Sequence, residues 1–383
     1  MLRVSVIIPV YNSREYLAEC LDTLLSQTMK DLEVLCVDDG STDGSTDILA
    51  QYASRDTRVR VYTQSNSGAG AARNRALGEA AGEFLFFADA DDFFEMTMLE
   101  DAYRACTRDS ADVGVFRARY HETDTGKIRP ADELLKMDLV PGRMPFSRTD
   151  MPDHILEFTA PAPWNKLFRR AFVEAHGLRF QEIRRANDLL FTKLALARAE
   201  RITVIDKVLV NYRVGSGSNL QALNDATPSE FYSALIALRD ELARCGLLPE
   251  LERAFMNMSL ATCLYNLHSL KTLEAYHLVY AKLRDEWFGE LGLNDHDAED
   301  FLHEHQYAQY VRIRESDSEQ YLLDEVRYLR DLHLRRRASL RKAREALNRT
   351  RDSRAYRIGR WITALPRALR RAVGRQGQSR GGA

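Results

Sequence analysis

Cysteine is scarce and unpaired in this chain: five residues (Cys20, Cys36, Cys106, Cys245, Cys263), an odd number, widely scattered and without a C-x-x-C pair. This pattern argues against a disulfide framework or a structural zinc site and favours a reducing compartment. The nine histidines form no H-x-x-H or H-E-x-x-H pair, so a histidine metal site has no support. Long apolar runs are missing as well. The most apolar stretches, 4–10 and 84–88, fall far short of the ~18–20 residues that cross a bilayer. The first residues carry one arginine, are interrupted by Pro9 and lack a small-residue cleavage site, so they read as a core strand and not a secretory signal. No internal repeat stands out.

What is present is an ordinary globular composition, 45% apolar and 29% charged over 383 residues, enough for two to three domains. The net charge of −2 hides an asymmetry. Residues 327–383 hold 18 Lys+Arg against 3 Asp+Glu, a net of +15, which leaves 36 against 53, a net of −17, for residues 1–326. An acidic body with a basic end predicts an anionic partner for that end alone.

Residues 4–9 (VSVIIP) form an apolar run of the kind found in strands buried on both faces. Residues 13–27 then place Tyr16, Leu17, Cys20, Leu21, Leu24 and Leu25 at helical spacing, with Ser13 as the expected N-cap. The alternation continues with strands at 32–37, 58–62 and 83–88 and helices at 45–53 and 70–81. It predicts an α/β fold with a mostly parallel sheet flanked by helices, and ligand binding at the carboxyl ends of the strands. Further strands are expected at 113–117 and 201–212, with a helix at 188–199 between them. Residues 225–310 are helical in period, and 319–348 read as a long charged helix with a weak heptad. The expected domains are 1–220, a helical appendage 221–318, and a charged helix with basic tail 319–383.

The strand ends carry the unusual residues. Asp89-Ala90-Asp91 follows FLFFA, and two carboxylates so close call for a divalent cation with hard oxygen ligands. An acidic turn capping the next helix is the plainer alternative. Asp38-Asp39-Gly40-Ser41-Thr42-Asp43-Gly44-Ser45 closes the second strand, with one carboxylate more than a turn and cap need. Gly68-Ala69-Gly70-Ala71-Ala72-Arg73 lacks the third glycine of a dinucleotide fingerprint. It reads as a glycine turn whose helix directs Arg73, and also Arg75, toward a phosphate or carboxylate. Asn187-Asp188 precedes an apolar helix, where either residue would serve as an N-cap, and WNKLF at 164–168 joins an aromatic to polar groups.

Taken together, VSVIIPVYN, VDDGSTDGS, NSGAGAARN, FADADD, WNKLF and the Asn-Asp pair resemble, in kind and order over residues 1–220, the nucleotide-sugar-dependent glycosyltransferases of family 2, with the GT-A fold. The resemblance implies that Pro9, Tyr11 and Asp39 hold the nucleoside with Arg73 close by. It implies that Asp89 faces the ribose or sugar, that Asp91 binds a Mn²⁺ or Mg²⁺ bridging the diphosphate, and that Asp188 is the catalytic base. Many relatives place Glu before that base; here it is Asn187. The implied reaction is a single inverting displacement from a nucleotide-diphosphate sugar, UDP foremost, to a hydroxyl of a glycan or lipid-linked acceptor in envelope or capsular polysaccharide synthesis.

No Q-x-x-R-W run occurs, which favours single addition over polymer extrusion. Residues 353–375 gather Trp361, Ile362, Leu365 and Leu369 on one helical face amid arginines, a pattern suited to an anionic membrane surface, with the chain on its cytoplasmic face. Nucleic acid is not an expected partner, since stacking aromatics are lacking in the tail. Two other readings remain open at this point: an inactive nucleotide-binding scaffold in an envelope-assembly complex, and a nucleotidyltransferase. The latter would place a glycine-rich phosphate loop where PVYN stands.

Overall fold

The computed structural model describes residues 2–215 and 224–352. The chain divides into two compact units, Met1–Glu315 and Ser316–Ala383. In the first unit, strands β1 (Val4–Val10), β2 (Leu32–Asp38), β3 (Val59–Thr63) and β4 (Phe84–Phe87) alternate with helices α1 (Leu17–Leu25), α2 (Ser45–Arg55) and α3 (Ala69–Leu77). There follow β5 (Phe93–Phe94), α4 (Met98–Arg108), β6 (Val113–Glu122), β7 (Ile128–Pro130), β8 (Lys166–Arg169), α5 (Arg170–Ala175), α6 (Leu189–Arg198) and β9 (Ile202–Val214). Among the described residues nine strands join one sheet in the order β3-β2-β1-β4-β8-β6-β9-β5, with β7 paired to β6.

Pairing is parallel from β3 to β4, where helical crossovers link the strands. Beyond β4 it is mixed: β8 runs antiparallel to both neighbours, whereas β6 and β9 are parallel. The order reverses at β1, which has β2 on one side and β4 on the other, and such a switch point opens a crevice at the strands' carboxyl ends. β1 pairs with β4 only through Ile7 but with β2 through Val10. Pro9 falls in the stretch that β4 no longer accompanies, where its missing N–H leaves no ladder bond unmade on that side.

Both faces of the sheet are covered, which is why its central strands read as unbroken apolar runs. Val4, Val6 and Ile8 pack with Leu17, Leu21 and Leu24 of α1, Leu49 of α2 and Leu99 of α4. On the other face Phe87 meets Phe168, Phe180 and Phe191 edge to face, at ring-centre distances of 5.8, 4.9 and 5.3 Å, and Phe180 stacks on Phe191 at 4.1 Å. This cluster clamps α6 against the end of β4.

Helices α7 (Glu230–Arg244), α8 (Leu248–Ser269), α9 (Leu273–Lys282), α10 (Phe288–Glu290) and α11 (Glu304–Glu315) complete the first unit. Arg185, almost wholly buried, donates to Asn266 Oδ1 on α8 (2.9 Å), and Glu230 at the start of α7 accepts from the Arg185 amide (2.6 Å). The segment leading into α6 is therefore tied to the helical layer. The second unit contains α12 (Ser318–Asp352), on which Val326, Leu329, Leu340 and Leu347 are exposed. Among the described residues no helix is long and apolar enough to cross a membrane. The expected amphipathic segment 353–375 lies outside the described residues.

Candidate active site

Four loops and one helix start converge on the switch-point rim. The loop after β1 is stitched to the loop after β2. Asn12, in a left-handed conformation (φ 48°), accepts from the Thr42 amide (2.8 Å), and the Ser13 and Arg14 amides donate to Ser45 Oγ (2.9 Å) and Asp43 Oδ2 (2.9 Å). Ser13 is consequently not the N-cap of α1. Its hydroxyl donates to Tyr11 O, and the helix begins after Tyr16, which supplies no side-chain cap bond. Tyr11 stands out from the rim, about half exposed.

The two carboxylates after β2 divide their work. Asp38 holds its own turn, accepting from the Ser41 amide (2.9 Å) and Thr46 Oγ1 (2.6 Å). Asp39, buried, accepts from Gln64 Nε2 (2.8 Å), the Ser67 amide (2.8 Å) and the Gly68 amide (2.7 Å), and so fixes the loop after β3. Of a carboxylate's roughly four acceptor directions, about one is left for a ligand. Gly68 takes φ 91°, a conformation that suits glycine, and its amide is one of the three donors.

Arg73 is the joint of the site. Buried on α3, it gives one arm to Asp89 Oδ1 and the other to Asn187 Oδ1, both at 2.7 Å, with its guanidinium 5.2 Å from the centre of the Phe180 ring. A residue at the end of β4 and one just before α6 thus meet across 98 positions of sequence. Gly70, one turn earlier, allows this approach, since a Cβ there would lie 2.0 Å from Gln181 O. Arg75 does not point to the site. It reaches Thr63 O and lies over the Tyr62 ring at the far end of the sheet.

Asp188 opens α6, yet its side chain makes no capping bond. Burial pushes its carboxyl above the usual range. The Asp89 charge pushes the same way, while Arg73 and Lys166 pull it down. Asp91 is partly exposed, and its carbonyl accepts from Arg213 Nε (2.8 Å). The third carboxylate of FADADD differs. Asp92 is buried, accepts the Arg213 amide on one oxygen (2.8 Å), and its other oxygen has no partner. Burial together with Asp91 and Asp89 raises it well above the carboxylate range. The run therefore presents two rim carboxylates and one buried carboxyl group whose charged form is disfavoured.

Sequence reasoning missed Arg213, Arg185 and the linking role of Asn187. Arg213 sits one residue past the expected strand 201–212, where its contacts with Asp91, Asp92 and Glu19 arise only through the fold. The donor set fits a hard divalent cation of the kind that keeps water and phosphate ligands and takes only one or two carboxylates. Asp91 is a partly exposed carboxylate of that kind, while no three His, Cys, Asp or Glu side chains among the described residues form a cage of their own.

Residues 5–177 match the model of glycosyl transferase family 2. The glycosyltransferase GlyG of Streptococcus pneumoniae is 32% identical over 225 residues, covering 56% of this chain and 72% of GlyG. The chain belongs to glycosyl transferase family 2. The Bacillus subtilis protein EpsH is 34% identical over 221 residues, 57% of this chain and 62% of its own length, so the chain spans under two thirds of that relative. Among solved structures, Staphylococcus aureus TarS (residues 1–349) superposes with a TM-score of 0.65 at 25% identity, covering 86% of this chain and 92% of that one. TarS is a poly(ribitol-phosphate) β-N-acetylglucosaminyltransferase, crystallised also with UDP and with UDP-GlcNAc. The family match holds Pro9, Tyr11, Asp39, Arg73, Asp89 and Asp91, and ends 11 residues before Asp188.

Proposed function

We propose that this chain is an inverting glycosyltransferase that moves a sugar from a nucleotide-diphosphate sugar, UDP foremost, to a hydroxyl of a glycan or lipid-linked acceptor in envelope polysaccharide synthesis. The observation that carries the reading is the Asp89–Arg73–Asn187 joint, which sets Asp188 and the FADADD rim at one crevice. Pro9, Tyr11 and Asp39 line the nucleoside side, and Asp89 faces the sugar. Asp188, its proton affinity raised by burial, accepts the acceptor hydroxyl proton as that oxygen attacks the anomeric carbon. Asp91 would hold Mn²⁺ or Mg²⁺, which when bound offsets the charge gathering on the diphosphate. The TarS complexes support UDP-linked sugars as the first donors to try.

Nucleotide release from a panel of nucleotide sugars, with Mn²⁺ and with Mg²⁺, tests the assignment. Asp91→Asn is expected to abolish turnover with the fold intact. Asp188→Asn should keep donor affinity and lose transfer, by at least ~10² in rate. Near-normal turnover in either variant would strip that residue of its role.

A further inference from the structure

Beneath Asp188 lies a polar assembly that the proposed chemistry does not use. The segment 159–162 (Thr-Ala-Pro-Ala) presents four successive carbonyls, and each is met by a side chain from β8 or α6. Lys193 Nζ donates to Thr159 O (2.6 Å), and Lys166 Nζ donates to Ala160 O and Ala162 O (2.8 Å each). Thr192 Oγ1 donates to Pro161 O (2.6 Å) and stands 2.7 Å from Asp188 O. Lys166 also donates to Asn165 Oδ1 (2.7 Å). Both lysines and Thr192 are buried, while Ala160, Pro161 and Ala162 keep partial exposure. Two prolines, Pro161 and Pro163, deny this strip a regular ladder, so side chains have to fix it.

The two lysines differ in kind. Three acceptors surround Lys166, a set that three ammonium protons can satisfy and two amine protons cannot, while burial, and Lys193 after it, push its proton affinity well below the usual lysine value. Lys193 is shown one acceptor, and burial brings it down to about 7. The charged or titratable groups facing Asp188 are Arg73 from α3, Asp89 from the loop after β4, and Lys166 from β8, with Lys193 one turn along α6.

We propose that Lys166 is a positioning residue: with Thr192 and Lys193 it fixes the 159–162 strip as a wall beside Asp188, and its ammonium, over the pH range in which Asp188 titrates, favours that carboxylate. The catalytic part of this rests on Asp188 being the base. The electrostatic part does not.

The test uses the full chain carrying ¹³C-labelled Asp carboxyl carbons, with the Asp188 signal assigned through Asp188→Asn. Lys166→Met, and Lys166→Gln as the better-tolerated replacement, should raise the Asp188 titration midpoint by about one unit, because a cation favouring the carboxylate is gone. Thr192→Ser should leave it in place. In donor hydrolysis with UDP-GlcNAc, KM should stay within about twofold, while kcat falls at least tenfold and its acid limb moves up with the midpoint. An unmoved midpoint in a folded Lys166 variant overturns the proposal. A moved midpoint with an unmoved acid limb keeps Lys166 beside Asp188 but removes Asp188 as the base, which is a failure of the functional reading instead.

Discussion

A single guanidinium decides much of the site's geometry. Arg73 is buried with two partners, one charged and one neutral, and lysine cannot span both, because its ammonium is a point charge without the planar fork. Arg73→Lys should lower nucleotide release by about 10- to 100-fold. Arg73→Met leaves the Asp89 carboxylate without its cation, and thermal or denaturant unfolding should register a loss of up to about 3 kcal/mol, at the low end for a broken pair because Asp89 keeps some solvent. Lys193 yields a pH prediction. Above its usual value of 10.5 neither folded nor unfolded chain carries the proton. Between 10.5 and about 7 only the unfolded chain binds it, so stability falls as pH falls, by about 1.4 kcal/mol per unit, and levels off below about 7. In Lys193→Met that slope should be missing, so the difference in stability between the parent chain and the variant should itself change by about 1.4 kcal/mol per unit across this range. Identical slopes would place Lys193's proton affinity near the ordinary lysine value.

At the scale of elements, the glycine in the first turn of α3 matters more than the segment's resemblance to a phosphate loop. Gly70→Ala would drive a Cβ into Gln181 O, a backbone atom that cannot swing aside. Unfolding should show a loss of about 1–3 kcal/mol, and donor hydrolysis should drop because the strip carrying Asn187 and Asp188 is displaced. Normal activity in a folded Gly70→Ala chain would mean that this strip adapts freely. The parallel half of the sheet was legible from its apolar runs, since strands buried on both faces leave no alternation to misread. β5 was not, being only two residues long, and β8 was not, because its four residues begin and end on Lys166 and Arg169 and show no apolar run like that of β4. The carboxylates were legible as strand-end outliers. Their partners were not, because Arg73 finds Asn187, and Arg213 finds Asp92, only after the Phe87–Phe180–Phe191 cluster and β9 bring distant segments together.

At the scale of the molecule, the charge division seen in the sequence separates an acidic body from α12 and the basic end. We expect the full chain to sediment with vesicles rich in anionic lipid and a chain lacking residues 327–383 to remain in the supernatant. Equal sedimentation of both would detach the basic end from any membrane role. The Arg73 joint also bears on how this protein can be cut. An excised fragment bounded by the family match at residue 177 would discard Asn187, Asp188, Phe180, Phe191 and β9 in one stroke. Arg73 would be left half satisfied, Phe87 would lose two of its three aromatic neighbours, and β5 would lose the strand it pairs with. The recognisable sequence signature is therefore not a portable module, and a fragment that keeps this crevice intact has to run at least through β9.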